Sequence, residues 1–383
     1  MSLCPYLQAG CGGCTLLDRP YGEQLRRKQA ESVRLLGRFG TVEPILGAAQ
    51  PLHYRNKAIL SFAPAGRGRT ACGFYAAGSH RIIEARDCLL QDERLNALLA
   101  RAAAEAARGR LIPYDEDRGT GLLRHMVARR GVRTGELLLT VVTAAPVFPG
   151  SRAFVGALRS AFPELVTVVQ QVNSRRTSAV LSGPEKTLFG GGFLTDELCG
   201  SRFRVPAGAF YQINHDQTER LYETALDFAG LTGGETVLDA YCGIGTITLA
   251  AAKRAKRVLG VEINAAAVRA AAANARLNGA DNVSFLCGDA GAELEKAVRA
   301  GARFDAVFLD PTRDGASGQF LGSVVRAAPE KIVYISCFPA TQARDLAFLT
   351  ARGYAVRRLR PVDMFPQTDH VETVCLMSRV KGK

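Results

Sequence analysis

The sequence predicts an α/β protein: a Rossmann-like, doubly wound sheet of seven strands, preceded by an α+β, largely antiparallel domain and a short cysteine-rich loop. Three observations predict this. After Ala207, apolar strands alternate with longer helical stretches, the rhythm of a parallel sheet. From about Val42 to Val205, short apolar runs are punctuated by Gly, Pro and Ser, the rhythm of an antiparallel one. Three cysteines crowd the first 19 residues. With 383 residues and 47% hydrophobic composition, the chain can bury two cores. The divisions read from the sequence are 1–20 (cysteine loop), 21–40 (a charged helix packing on the C-terminal domain), 41–205 (central domain) and 206–383 (C-terminal domain).

The helix is carried by YGEQLRRKQAESVRLLGR, from about Tyr21 to Arg38. In the central domain the strands are read from KAILSFAP, ACGFYAAGSHRIIE, GELLLTVVTA, LVTVVQQVNS and TSAVLSG, interrupted by Ala-rich helices near 92–109 and 151–161. In the C-terminal domain ETVLDAYC, RVLGVEI, VSFLCGD, FDAVFLD and KIVYISC are strands, with helices between them, three of them near 291–300, 318–328 and 341–352. The final stretch holds two strands with no helix between, an antiparallel hairpin at one sheet edge.

Lys plus Arg exceed Asp plus Glu by 49 to 36, a net charge of +13, with a pI near 9.5. Such an excess favours a polyanion, nucleic acid first. No basic segment leads into an apolar one at the N-terminus, and no apolar run approaches the ~18 residues of a membrane span. The expectation is a cytoplasmic protein with no membrane association. Its ten cysteines should then be mostly reduced, so a cluster points to metal and an isolated cysteine to packing or catalysis.

Val237 to Thr246 (VLDAYCGIGT) is a strand turning through Gly243 and Gly245 into a helix, where bare backbone can approach a ligand. Glu262 ends the next strand, 23 positions after Asp239, where a carboxylate can accept both hydroxyls of a ribose. NAD and S-adenosylmethionine both satisfy this pattern. Asp289 and Asp310 end the third and fourth strands, and acids at four successive strand ends suit a cationic sulfonium better than a pyrophosphate. The fifth strand runs into Ser336-Cys337-Phe338-Pro339, placing Cys337 at the carboxyl edge beside Asp310. Asp363 to Thr373 (DMFPQTDHVET) returns a carboxylate, Glu372, to that edge.

These segments resemble the RNA uridine-C5 methyltransferase family, which includes the bacterial enzymes for 23S ribosomal RNA and the transfer RNA T-loop. The resemblance is carried by Phe210-Tyr211-Gln212-Ile213-Asn214, Asp239 to Thr246, Asp310-Pro311-Thr312-Arg313, Ser336-Cys337, His370-Val371-Glu372, His53 to Lys57 and Gln170 to Thr177. It implies a class I S-adenosylmethionine-dependent methyltransferase that makes 5-methyluridine. Cys337 would add to uracil C6, Glu372 would remove the C5 proton, and Asp310 would lie near base and cofactor. The cofactor-binding set it implies is Gln212, Tyr241, Gly243, Gly245, Thr246, Glu262, Asp289 and Asp310. Two positions depart from the family pattern: Phe338 stands where Asn is usual, and Thr312 replaces a second proline. Cys242, Cys287 and Cys375 read as buried apolar thiols.

Cys4, Cys11 and Cys14 follow C-x6-C-x2-C. Three thiolates need a fourth ligand, which the resemblance nominates as Cys88, with Cys72 and Cys199 as rivals. Four thiolates suit zinc or a [4Fe-4S] cluster, and the resemblance selects the cluster, found in its ribosomal RNA members. Arg55, Lys57, Arg124, Arg129, Arg175 and Arg176 are expected to contact phosphates. With no Trp and 7% aromatic residues, a flipped uridine has few stacking partners. The chain begins directly at the cysteine loop, so the central domain is expected to choose the RNA. The expected partner is 23S rRNA, bound by a monomer. The alternatives are a transfer RNA or dual-specificity enzyme, or a catalytically inactive iron-sulfur RNA-binding protein.

Overall fold

Short runs rich in apolar residues make the central strands. In the computed structural model, which describes residues 4–66, 69–76, 78–175 and 179–380, these strands belong to the first of two compact units. It is built from the chain up to Asp18, Gln50–Glu197 and Arg204–Gly208; the second takes Arg19–Ala49, Leu198–Phe203 and the chain from Ala209 onward.

The first unit holds β1 (Lys57–Pro64), β2 (Thr70–Tyr75), β3 (Ile82–Ile83), β4 (Leu123–Arg130), β5 (Leu137–Thr143), β6 (Leu165–Val172) and β7 (Glu185–Phe189), in the order β3-β2-β1-β4-β5-β6-β7. All neighbours are antiparallel except β5 and β6, whose parallel pairing is the kind a crossover helix makes possible, here Ser151–Ala161. Alternation puts Ala58, Leu60 and Phe62 of β1 and Met126 and Ala128 of β4 in one core with Leu95, Leu98, Leu99 and Ala102 of helix Glu93–Arg108. Asp92 caps that helix, accepting from the Arg94 amide at 2.9 Å.

Two readings need correction here. TSAVLSG is not a strand: Thr177 and Ser178 lie outside the described residues, and Ala179 to Gly183 is irregular. Gly183 sits at φ +99° with a Cβ position only 2.1 Å from the Val172 carbonyl oxygen, so the chain turns hard and β7 starts after it. Strand β4, LRHMVARR, escaped notice because its charges hide a strand that is buried along almost its whole length. A separate hairpin pairs β8 (Phe193–Leu198) with β9 (Ser201–Pro206).

The second unit is the predicted seven-stranded α/β sheet. Strands β10 (Thr236–Ala240), β11 (Arg257–Glu262), β12 (Val283–Cys287), β13 (Ala306–Leu309), β14 (Lys331–Ser336), β15 (Tyr354–Val362) and β16 (Glu372–Arg379) lie in the order β12-β11-β10-β13-β14-β16-β15. The first five are parallel, and β16 runs antiparallel to both β14 and β15. Strand order reverses between β10 and β13, the switch point where such sheets bind ligands at their carboxyl edge. One core face carries Leu238, Val307, Ile332 and Tyr334 against Leu294, Phe320 and Leu346 of the covering helices. Helix Tyr21–Leu36 belongs to this unit and places Leu36 in the same core. Helix His215–Ala229, capped by Asn214, was not read from the sequence. No helix among the described residues is long and apolar enough to cross a membrane.

Candidate active site

The carboxyl edge of the second sheet gathers the acidic strand ends. After β10 the backbone passes through left-handed conformations at Tyr241 (φ 66°), Gly243 (φ 54°) and Gly245 (φ 88°). A Cβ at Gly243 would meet nothing within 4 Å, so the turn leaves open space in front of its backbone. Glu262 borders it: Oε2 accepts from the Gly243 amide at 3.1 Å and Oε1 from the Asn264 amide at 2.8 Å. Ile263 is 72% exposed, and Leu286 on the adjacent strand is exposed too, an apolar wall the sequence reading did not single out. Tyr241 packs against Phe320 with ring centroids 5.4 Å apart. Asp289 caps helix Ala290–Arg299, its Oδ1 accepting from the Ala292 amide at 2.9 Å. Gln212 is buried in the loop before Asn214.

A second group of acids lies between β10, β13 and β16. Asp239 is fully buried; Thr248 Oγ1 donates to its Oδ2 at 2.5 Å, while Oδ1 is buried with no hydrogen-bond partner. Burial pushes Asp239 and Asp310 each up to about 7, with Glu262 adding to the first and Asp239 to the second. Glu372, also buried, is raised well above the carboxylate range by desolvation and then by Asp310. Its Oε2 has no hydrogen-bond partner. Tyr222, another residue the sequence reading missed, lies within the field of Asp310, Glu372 and Asp239, its hydroxyl 3.2 Å from Thr246 Oγ1.

Cys337 follows the last residue of β14. The β14–β16 register pairs Ser336 with Thr373, which sets Glu372 against Cys337. Burial, Glu372 and Asp310 push the Cys337 thiol up to about 11, and Arg313 pulls it down. The edge therefore brings together a thiol, a buried carboxyl acid, a second acid and an arginine. That set can add a sulfur nucleophile to an electron-poor ring and take a proton from it.

Residues 195–380 match the tRNA (Uracil-5-)-methyltransferase family. An uncharacterized RNA methyltransferase of Halalkalibacterium halodurans is 40% identical over 381 residues, 98% of this chain and 82% of that protein. One from Bacillus cereus is 39% identical over 376 residues, 97% of this chain and 82% of its own. The chain belongs to the RNA (uracil-5-)-methyltransferase family. Among solved structures, the Pyrococcus abyssi tRNA (uracil-54, C5)-methyltransferase in complex with S-adenosyl-L-homocysteine is similar, with a TM-score of 0.80 and 26% identity over 96% of this chain and 86% of that one.

As an RNA (uracil-5-)-methyltransferase the chain uses S-adenosylmethionine, and the edge fits it: open backbone at Gly243, a carboxylate at Glu262 and exposed Ile263 are what an adenosyl group needs, and the buried acids suit a sulfonium.

In the methyltransferase's first unit, the N-terminal loop is tied down around Cys88. Cys11 bridges to Ala76, the Arg86 amide donates to Tyr6 Oη at 3.2 Å, and Arg81 donates to the Ala9 carbonyl at 3.1 Å. Cys14 lies within the field of Cys88, Cys11 and Cys4, and burial with those thiols pushes it up to about 12. Glu84 and Arg86 act on Cys72, and Glu219 and Lys253 on Cys199. Cys242 and Cys375 are buried, but Cys287 is exposed, because β12 is an edge strand.

Of the basic residues, Arg124 is not available to phosphate. It is 1% exposed and spends its donors on Glu116 and the carbonyls of Asn173 and Arg175. Lys57 and Arg129 are direct cross-strand partners. Burial and their mutual repulsion lower Lys57 to about 8, and burial lowers Arg129 to about 10. Arg55 packs over Tyr54, Arg175 is exposed, and Arg176 lies outside the described residues.

Proposed function

We propose that this methyltransferase makes 5-methyluridine in 23S ribosomal RNA through a covalent adduct on Cys337. The observation that carries the mechanism is the β14–β16 register, which ends at Ser336–Thr373 and leaves Cys337 next to buried Glu372. S-adenosylmethionine, when bound, supplies an electrophilic methyl group on a positively charged sulfur. Cys337, as thiolate, bonds to uracil C6, and the C5–C6 electron pair moves into an enolate that makes C5 nucleophilic. Glu372, as carboxylate, takes the C5 proton once C5 is methylated. The electrons of that C–H bond re-form the double bond and expel the Cys337 thiolate. Asp310, whose charge acts on both groups, would face the positive charge of the bound cofactor. Gln212, Tyr241, Gly243, Gly245, Thr246, Glu262 and Asp289 are proposed to line the cofactor.

The resemblance to cluster-bearing ribosomal RNA enzymes supports the 23S substrate. Cys4, Cys11, Cys14 and Cys88 are proposed to hold a [4Fe-4S] cluster. Burial and the fields of Cys88, Cys11 and Cys4 on Cys14 support a shared thiolate site, and the family resemblance favours the cluster over zinc. In the same unit half-buried Lys57, opposite buried Arg129, is proposed to draw RNA phosphate. The likeness to a transfer RNA enzyme favours a second reading, a tRNA substrate.

Labelled S-adenosylmethionine offered with unmodified 23S rRNA and tRNA transcripts decides between them: label is expected in the 23S transcript, and label confined to tRNA overturns the first reading. Cys337→Ala is expected to abolish methyl transfer. Glu372→Gln is expected to accumulate a denaturation-resistant protein–RNA adduct, because the C5 proton has nowhere to go. Full turnover by either variant would remove that residue from the mechanism.

A further inference from the structure

We propose that Phe338 is a positioning residue: its ring holds the Arg313 guanidinium beside Cys337, so that a fixed positive charge faces the nucleophile. The inference rests on the reading of Cys337 as that nucleophile. The Arg313 guanidinium carbon lies 5.2 Å from the centroid of the Phe338 ring, within cation–π range. Phe338 is 39% exposed although it is a large apolar side chain, so burial is a weak reason for a phenyl ring at this position. Asn, usual here in the family, offers no aromatic face to a cation.

The backbone around the pair is stitched to keep this geometry. Thr341 Oγ1 lies 3.0 Å from both the Arg313 and the Phe338 carbonyl oxygens and shares its hydrogen between them, joining the loop after β13 to the turn after β14. The Phe338 amide donates to Ser336 Oγ at 3.1 Å, fixing the turn on the other side of Cys337. Three charged groups act on the sulfur: Glu372 from β16 and Asp310 from the end of β13 disfavour a thiolate, and Arg313 favours it. Arg313 is exposed. Without the ring its guanidinium is free to swing into solvent, leaving the two acids unopposed.

The test is peptide-resolved alkylation of Cys337 by iodoacetamide across pH, on the full chain without RNA. Phe338→Leu, which keeps bulk and loses the ring, is expected to slow Cys337 alkylation at neutral pH about two- to fivefold, the range of an exposed cation–π contact, and to move the pH profile upward. Phe338→Tyr is expected to keep the wild-type profile. In an Arg313→Met background Phe338→Leu should add nothing, because the partner is already gone. A wild-type profile for Phe338→Leu, or an equal loss with and without Arg313, overturns the proposal. Methyl transfer by Cys337→Ala separates the two ideas: an active variant defeats the covalent reading, whereas the alkylation result judges Phe338 alone.

Discussion

Cys337 and Glu372 face each other across neighbouring strands, yet different lengths of chain hold them. Cys337 is held locally. Its turn is closed by Ser336 and Thr341, and Gln342 Nε2 donates to the Tyr334 carbonyl at 3.1 Å, all within one strand–turn–helix passage. Glu372 depends on the loop before it, and that loop is held from far away. Lys28 Nζ pairs with Asp363 Oδ1 at 2.5 Å, with both side chains buried, and also donates to the Phe365 carbonyl. Tyr21 donates to Asp363 Oδ2 at 2.8 Å, and Gln24 exchanges two hydrogen bonds with Gln367. Asn214 and Gln217 add bonds to the carbonyls of Met364 and Asp363. The proposed nucleophile is thus held mostly by a local segment, tied outward through Thr341 to the Arg313 carbonyl and through Gln342 to Thr373. The proposed base is held by the wider fold.

Lys28→Met is expected to cost the most. Removing one partner of a buried pair leaves the Asp363 carboxylate without its cation, a cost of about 3–5 kcal/mol. Denaturant unfolding should show that loss, and turnover should fall while Cys337 alkylation is not slowed, since Glu372 only disfavours the thiolate. Adding Asp363→Leu should recover part of the stability, since an apolar pair replaces a broken ionic one, but not the turnover. Equal loss of Cys337 reactivity would show that the helix supports both sides of the site alike.

What could be read from the sequence follows the same division. Asp239, Gly243, Gly245 and Glu262 stand in short contiguous patterns at strand ends, and Cys337 follows an obvious apolar strand, so spacing alone brings them to one edge. The roles of Lys28, Gln24 and Tyr222 were not legible: the first two meet partners 335 and 343 positions away, and Tyr222 lies on a helix the pattern did not announce. Ile263 had a signal, a large apolar residue directly after the strand-end Glu262, and went unused. Arg124 and β4 show the converse, since a charged residue within a fully packed strand looks like surface until its partners are seen.

A second expected effect concerns the charge on the acids the two sides share. Asp239 and Asp310 are each raised to about 7 in the folded chain, so the folded state keeps protons that the unfolded state has released by about pH 5. These groups therefore lower stability as pH rises from about 4 through 7. A sulfonium favours the ionised acids, so S-adenosylmethionine must expel protons to bind below pH 7. Its affinity is expected to fall about tenfold from pH 8 to pH 6 for one such proton. Calorimetric titration checks this. S-adenosylhomocysteine, whose sulfur is neutral, should show a shallower slope, and equal slopes would separate the acids from the sulfonium.

A milder substitution weakens the loop without removing a charge. Gln24 is fully buried, and its amide satisfies both the Gln367 side chain and the Gln367 backbone amide. Gln24→Ala leaves those groups to find new partners, at a cost of about 1–2 kcal/mol. The Lys28–Asp363 pair would still anchor the start of the loop, so the fold should persist with the segment nearer Glu372 loosened. If Glu372 is set by that segment, Gln24→Ala should slow release of the covalent adduct while its formation by Cys337 stays at the wild-type rate. Rapid-quench measurement of adduct formation and decay separates the two rates. Decay unchanged in a variant that has lost the expected stability would show that β16 alone, through its pairing with β14, is enough to hold the base.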